Sequence, residues 1–337
     1  MVSLEVKHVR MLSRLFRRGR KRERLLRTAS KSLRLDLRRL DHWGLGTNLI
    51  GVGVALKRSA GREIEDISCV QFLVRTKLHP KRLSAKERIP ERLALASAPG
   101  DVLTDVLEVP GGLVFQANPL GVVRPVQPGC SGSNTKGPLG TFGLVVVHEG
   151  ATCVLSCSHV LARGGAATAG EKVEQPFNPF GDPVQLEVGT LTPIFTRLSP
   201  DGVNEEDVAL AELDVAADPK IVNTETVPDS FFHGASLDFP IGMRVTHFGA
   251  KSGPSRGTVV SHSQTATFLT ATGQHITLAG LVGYSARTVA GDSGAPVLST
   301  GSSEVVGLHI GGAPDGSKAF FLPIGPIMTK YDLTLAA

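Results

Sequence analysis

The sequence predicts a mainly β protein: two packed β-barrels of about six short strands each, preceded by a small α+β module and a basic helical arm. Three observations carry this. Glycine (38) and proline (21) are plentiful and punctuate short runs rich in valine and threonine, the texture of strands joined by turns. Helix-period patterning is confined to the N-terminal end of the chain. The short apolar runs after residue 130 fall into two groups separated by a looser stretch with three prolines, 214–240. At 337 residues the chain can bury more than one ordinary core.

Residues 1–43 form the arm. Val9, Leu12, Leu15, Phe16, Leu26, Leu33, Leu37 and Leu40 fall at roughly helical spacing among Arg and Lys, so one helix, or two broken near Gly19, is expected. Residues 1–42 hold 14 Lys/Arg and 4 Asp/Glu, a net of +10, whereas the rest of the chain nets −5. Such a segment suits a polyanion (nucleic acid or a membrane surface) or an acidic partner. It equally suits a solubilising tail or a helix docked on the acidic body.

Residues 44–118 form the small module. Leu49–Leu56 and Ser68–Val74 read as a hairpin around the turn at Ser59–Arg62, and Asp101–Val109 reads as a further strand. Leu83–Leu95, interrupted by Pro90, has room for a short helix or two. No catalytic or metal-binding pattern is visible in it.

Residues 119–337 hold the barrels. Arg124–Gly129 reads as an extended connector. Strands are expected at 141–147, 152–156, 171–175, 184–190 and 207–213, then at 244–249, 257–261, 267–270, 275–278, 283–286, 295–298, 305–310 and 319–323. A short helix over 326–334 closes the chain.

No apolar run approaches a membrane span, and the basic N-terminus lacks the apolar core of a signal peptide. Cys153 and Cys157 share one expected strand, where four residues span about 13 Å, beyond the ~7 Å a disulfide allows between Cα atoms. With only four cysteines, a reduced, cytoplasmic setting is expected. No cofactor motif is read.

The chemistry centres on Ala290-Gly291-Asp292-Ser293-Gly294-Ala295-Pro296. Glycine on either side of a serine permits a sharp turn that aims backbone N–H groups beside the hydroxyl, as an oxyanion hole requires. The glycines stand at −2 and +1, so this is not the G-x-S-x-G elbow. A serine needs a base, and the base an orienting acid. His159 stands just past the buried-looking strand ending Cys153-Val154-Leu155-Ser156-Cys157, and Asp207 opens the apolar run Val208-Ala209-Leu210-Ala211. Asp201 and Asp214 are the alternatives for the acid. A metal site from Cys153, Cys157 and His159 is a rival reading of the histidine, without an evident fourth ligand.

These three segments together resemble chymotrypsin-like (trypsin-type) serine proteases: Gly-Asp-Ser-Gly-Gly-Pro around the nucleophile, with Ala295 for the last glycine, Thr-Ala-Ala-His before the base, and Asp-Ile-Ala-Leu at the acid. The resemblance covers roughly residues 130–330. It implies a His159–Asp207–Ser293 triad, oxyanion-hole donors at the N–H groups of Gly291 and Ser293, and protein or peptide substrates cleaved through an acyl-enzyme. No Ile-Val-Gly-Gly activation sequence is present, and Val160 stands where the family's disulfide cysteine follows the histidine.

Gly307-Leu308-His309-Ile310-Gly311-Gly312 is similar to the pocket strand of glutamyl endopeptidases and picornavirus-type proteases. In those families the histidine, with a threonine five positions before the nucleophile (here Thr288), binds a Glu or Gln side chain. The resemblance therefore implies a substrate site of Thr288, His309 and Gly311, with backbone pairing to the substrate. The absence of a carboxylate at 285–289 argues against Lys or Arg. A strand histidine packed beside a pocket for small apolar residues is the other reading. A catalytically silent scaffold of the same fold, binding through its arm and module, is the alternative function.

Overall fold

The protein is described by a computed structural model over residues 4–13, 48–59, 62–85, 87–94, 101–109, 113–115, 121–177, 186–270 and 273–337. Most of the arm, residues 1–3 and 14–43, lies outside the described residues, as do 44–47 of the module. The described part of the arm opens with helix α1 (Leu4–Leu12). Val6, Val9 and Leu12 recur every three residues, so they share one helix face, and all are buried. They pack against Leu49, Val52, Phe72 and Val102 of the module, while Lys7 and Arg10 stay exposed. This part of the arm is a docked helix.

In the module, β1 (Leu49–Ser59) and β2 (Arg62–Val74) form the expected antiparallel hairpin. The outer edge of β2 takes β4 (Asp101–Glu108) in parallel, and β4 pairs with β3 (Arg92–Ala94). The helix expected over 83–95 is absent among the described residues of that span; β3 occupies its end. Pro90 lacks an N–H and disfavours helix at the residue before it. The carbonyls of Pro90 and Glu91 accept from Thr104 Oγ1 at 2.5 Å and Thr104 N at 2.9 Å, so they are committed to β4. A short strand, β5 (Leu113–Phe115), follows.

Two sheets make up the rest. The first holds β6 (Ser131–Asn134), β7 (Gly140–Thr141), β8 (Leu144–His148), β9 (Ala151–Ser156), β10 (Lys172–Glu174) and β11 (Glu187–Phe195). It also holds β13 (Ala209–Leu213), which follows β12 (Val203–Asn204) in the chain. The second is built on β14 (Ser230–Phe231), β15 (Arg244–Gly249), β16 (Gly253–Leu269) and β17 (His275–Tyr284). Strands β18 (Pro296–Ser299), β19 (Glu304–Gly312) and β20 (Ala319–Pro323) complete it. After the one-turn helix α2 (Ser158–Leu161), the closing helix is α3 (Ile324–Lys330), and the last strand, β21 (Thr334–Leu335), returns to pair with β8 in the first sheet. Strand order is β21-β8-β9-β13-β11-β10-β6-β7 in one sheet and β12-β17-β20-β19-β18-β15-β16-β1-β2-β4-β3 in the other. The architecture is mainly β with two packed sheets, as expected.

One departure matters for function. The strands expected at 257–261 and 267–270 are one strand, β16, bent by irregularities around Ser261–Gln264, where Ser263 takes φ 50°. Those expected at 275–278 and 283–286 merge likewise into β17 across Gly280, at φ 71°. Left-handed residues interrupt the alternation that marks a strand in sequence. The long ribbon reaches out to the module: β1 pairs antiparallel with β16 from Gly51–Ala266 to Ala55–Ser261. The module is thus continuous with the second sheet. All four cysteines are buried and none is in a disulfide, and no helix among the described residues is long and apolar enough to cross a membrane.

Candidate active site

Strand β9 ends at Ser156, Cys157 is the extended N-cap, and the one-turn helix α2 (Ser158–Leu161) begins. Val160 and Leu161 are buried, which fixes the turn and leaves His159 at the junction. Strand β13 pairs with β9 in the register Ala209–Ser156, so the residue two before β13 is carried to the same end. That residue is Asp207. Its Oδ1 accepts the backbone N–H of His159 at 3.0 Å, and Oδ2 meets His159 Nδ1 at 2.5 Å. Asp207 is fully buried and His159 8 % exposed. The rival acids lie elsewhere. Asp201 is exposed, and Asp214 sits at the surface 3.5 Å from Lys172.

Cys157, His159 and Asp207 bring one ligand-type atom each within 4.8 Å of one another; Cys153 is not in this group. The Cys157 thiol donates to the His309 carbonyl at 3.4 Å. Burial first, and Asp207 second, push its pKa well above the ordinary thiol range.

The Ser293 loop is clamped between the two sheets. Thr141 N donates to the Ser293 carbonyl at 2.8 Å, Thr141 Oγ1 to the Gly291 carbonyl at 2.6 Å, and Gly294 N to the His309 carbonyl at 2.7 Å. Gly294 has φ 92°, and a Cβ there would stand 2.1 Å from Ser156 Oγ, so no other residue fits. The Ser293 hydroxyl donates to the Ile310 carbonyl at 2.8 Å.

Asp292 braces this loop from inside. Its carboxylate accepts from the N–H groups of Val289 (2.8 Å), Ser252 (3.1 Å) and Lys251 (3.3 Å), and from His247 Nε2 (3.3 Å). Burial alone would raise its pKa, but the His247 hydrogen bond and charge, with Val289 N–H, outweigh this and hold it down to about 2.

His309 lies in β19 on the far side of His247, with ring centroids 5.6 Å apart, and its Nδ1 is 2.9 Å from the Tyr284 hydroxyl. Burial foremost, then His247, lower its pKa to about 3, so the ring is neutral. Burial, with Asp292, raises that of Tyr284, so the phenol keeps its proton. His309 Nε2 and Thr288 Oγ1 are both buried and make no hydrogen bond; the Phe320 carbonyl also faces the imidazole, outside hydrogen-bond geometry. Gly311 pairs with Phe320 of β20 on one edge and Phe115 of β5 on the other. Arg287 is exposed.

Sequence reasoning missed His247, Tyr284 and Thr141. The first two are single residues inside strands with no local signal. Thr141 acts across the sheet interface.

No protein-family model matches the chain, and no curated protein matches it. Solved structures do, among them several bacterial serine proteases. Thermobifida fusca protease A is 22 % identical, over 63 % of this chain and 98 % of that one, with TM-score 0.45. Cellulomonas bogoriensis chymotrypsin is 19 % identical, over 63 % and 98 %, with TM-score 0.44. A glutamic acid-specific serine protease described as using a histidine triad in substrate binding is 17 % identical, over 63 % and 100 %, with TM-score 0.45.

Proposed function

We propose that the chain is a serine endopeptidase. The observation that carries this is the buried Asp207–His159 pair, held by both a side-chain and a backbone hydrogen bond, at the interface where the Ser293 loop is clamped. In this reading Asp207 fixes the tautomer with Nδ1–H, leaving Nε2 as the base. Ser293 Oγ turns from Ile310 O toward it, loses its proton and attacks the substrate carbonyl. The N–H groups of Gly291 and Ser293 receive the developing oxyanion. His159 then protonates the leaving amine, and water releases the acyl group by the reverse sequence.

The cleaved residue is proposed to be Gln or Glu. Two buried, unpaired polar atoms, on His309 and Thr288, each forgo a hydrogen bond worth about 1 kcal/mol or more, which a substrate side chain would restore. With the Tyr284 proton on Nδ1, the neutral ring offers Nε2–H to a side-chain oxygen. An uncharged amide enters such a site at less cost than a carboxylate. A peptide library cleaved by the purified chain tests this, with Ser293→Ala as control. Cleavage after Gln, then Glu, is expected; cleavage mainly after Lys, Arg or large aromatics contradicts the pocket assignment.

A further inference from the structure

The Cys157 thiol stands beside the proposed base and has no part in the proposed chemistry. It does not serve the helix either. Cys157 is the N-cap of α2, yet its side chain caps no backbone N–H, as Ser, Thr, Asp or Asn would there. It is fully buried, and its Sγ, an imidazole nitrogen of His159 and a carboxylate oxygen of Asp207 all lie within 4.8 Å of one another. The metal grouping considered from sequence took Cys153 as its third member. The fold supplies Asp207 instead, because β13 pairs with β9 and carries that residue to the strand end where Cys157 and His159 stand.

A thiolate, an imidazole and a carboxylate are all donors that zinc takes, and three protein ligands with a water complete its tetrahedron. Bonds of about 2.0–2.3 Å set the donor atoms about 3–4 Å from one another, the scale of this trio. His159 Nδ1 and Asp207 Oδ2, 2.5 Å apart, part by only about 1 Å to reach it. Asp207 Oδ1 keeps the His159 backbone N–H at 3.0 Å, a bond that aims the carboxylate as outer hydrogen bonds do at metal centres. The charges also match. Zinc with one thiolate, one carboxylate and a neutral imidazole is a neutral centre. Cys157 and Asp207 are both fully buried, where an uncompensated charge is costly. Magnesium and calcium take oxygen ligands, so a buried sulfur selects zinc and its softer neighbours.

We propose that Cys157, His159 and Asp207 form a zinc site that switches the chain off. The ion takes the place of the proton between Nδ1 and Oδ2. The Cys157 proton, donated to the His309 carbonyl in the metal-free chain, leaves to solvent, since zinc deprotonates a coordinating thiol outright. The Nδ1 proton passes through water to Nε2, so the imidazole stays neutral. One proton is released for each ion bound, and no oxidation state changes. With a hydrogen on Nε2, His159 has no lone pair left for the Ser293 proton. Occupation of the site stands apart from the endopeptidase reading; its effect on turnover rests on that reading.

The test adds zinc chloride or cadmium chloride, each alone, to the purified full-length chain. Cadmium reports the thiolate through its ultraviolet charge-transfer band, and a fluorophosphonate reports Ser293. Wild type is expected to give a band that saturates at a single cadmium per chain. Saturating zinc should slow labelling by about 10²-fold or more, as loss of a general base does, with recovery on adding EDTA. Cys157→Ala should give no band and should label at one rate with and without zinc. Cys153→Ala should behave as wild type. Asp207→Asn should need at least about tenfold more cadmium to reach half its band. Where Cys157→Ala does not fold, Cys157→Ser removes the thiolate while keeping a side chain of similar size. A band kept by the Cys157 variant, or zinc slowing it as much as wild type, puts the metal elsewhere and overturns the inference; so does a wild type without a band. If metal-free wild type is neither labelled at Ser293 nor able to cleave peptide, the endopeptidase reading has failed, and the cadmium band alone decides the metal site.

Discussion

Among the described residues there are two buried His–Asp pairs, and they are built differently. His159–Asp207 is short, 2.5 Å, and adds a backbone bond from the same histidine to the same carboxylate. It sits where the sheets meet, with His159 slightly open to solvent. His247–Asp292 is longer, 3.3 Å, and both side chains are wholly sealed. Asp292 takes three backbone N–H groups besides, and His247 Nε2 also meets Ser252 Oγ at 2.9 Å. The first arrangement aims one histidine at its carboxylate. The second fixes a loop. Sealing and many bonds make a brace; a doubly held histidine beside an opening fits the base that the proposed mechanism needs.

The largest effect should come from the first pair. Asp207→Asn keeps the shape but favours the wrong histidine tautomer, so peptide turnover should fall by about 10⁴ with KM little changed. Circular dichroism should remain that of the wild type. A loss below tenfold would place the base elsewhere.

The brace should act through stability first. Asp292→Asn is expected to misplace the loop and cost up to about a hundredfold in turnover. It should also change the acid limb of stability. The unfolded carboxylate takes protons below its ordinary 3.8, whereas the folded one resists until about 2. Asp292 therefore contributes roughly 2 kcal/mol above pH 4, lost as pH falls from about 4 to about 2. Urea titrations across that window should show this limb in wild type and not in the variant.

His309 belongs to neither pair, though it packs on His247. His309→Gln should reduce discrimination for Gln over other residues by about 10–100-fold while slowing a poor substrate much less. Its folded pKa of about 3 lies below the ordinary 6.5. The unfolded ring thus charges first, and the stability due to His309 is complete above pH 6.5 and declines as pH falls toward 3. The variant should lack that decline. An unchanged profile with unchanged specificity would remove His309 from the pocket.

The contrast between the pairs also marks what sequence could tell. The His159–Asp207 pairing was legible because one residue follows and the other opens an apolar strand, both local signals. His247 was not: it is a strand residue whose partner stands 45 positions on. Strands such as Arg244–Gly249 and Ala319–Pro323 were read at their bounds because turns flank them. The long β16 was read as two strands, since Ser263 breaks its alternation. Helix α1 was legible in Val9 and Leu12, but its docking surface on Phe72 and Val102 was not. Nor was the seating of β5 on Gly311 and Gly312, a contact set by the whole sheet order.

The division of labour between the two pairs is tested most directly by the rate at which a fluorophosphonate labels Ser293 in wild type, Ser293→Ala, His159→Gln and His247→Gln. Labelling at Ser293 alone is expected in wild type and none in Ser293→Ala. His159→Gln should label at least about 10³-fold more slowly. His247→Gln, assayed below its lowered melting temperature, should stay within about a hundredfold of wild type. Undiminished labelling of Ser293→Ala, or His159→Gln reacting as fast as wild type, would contradict the account.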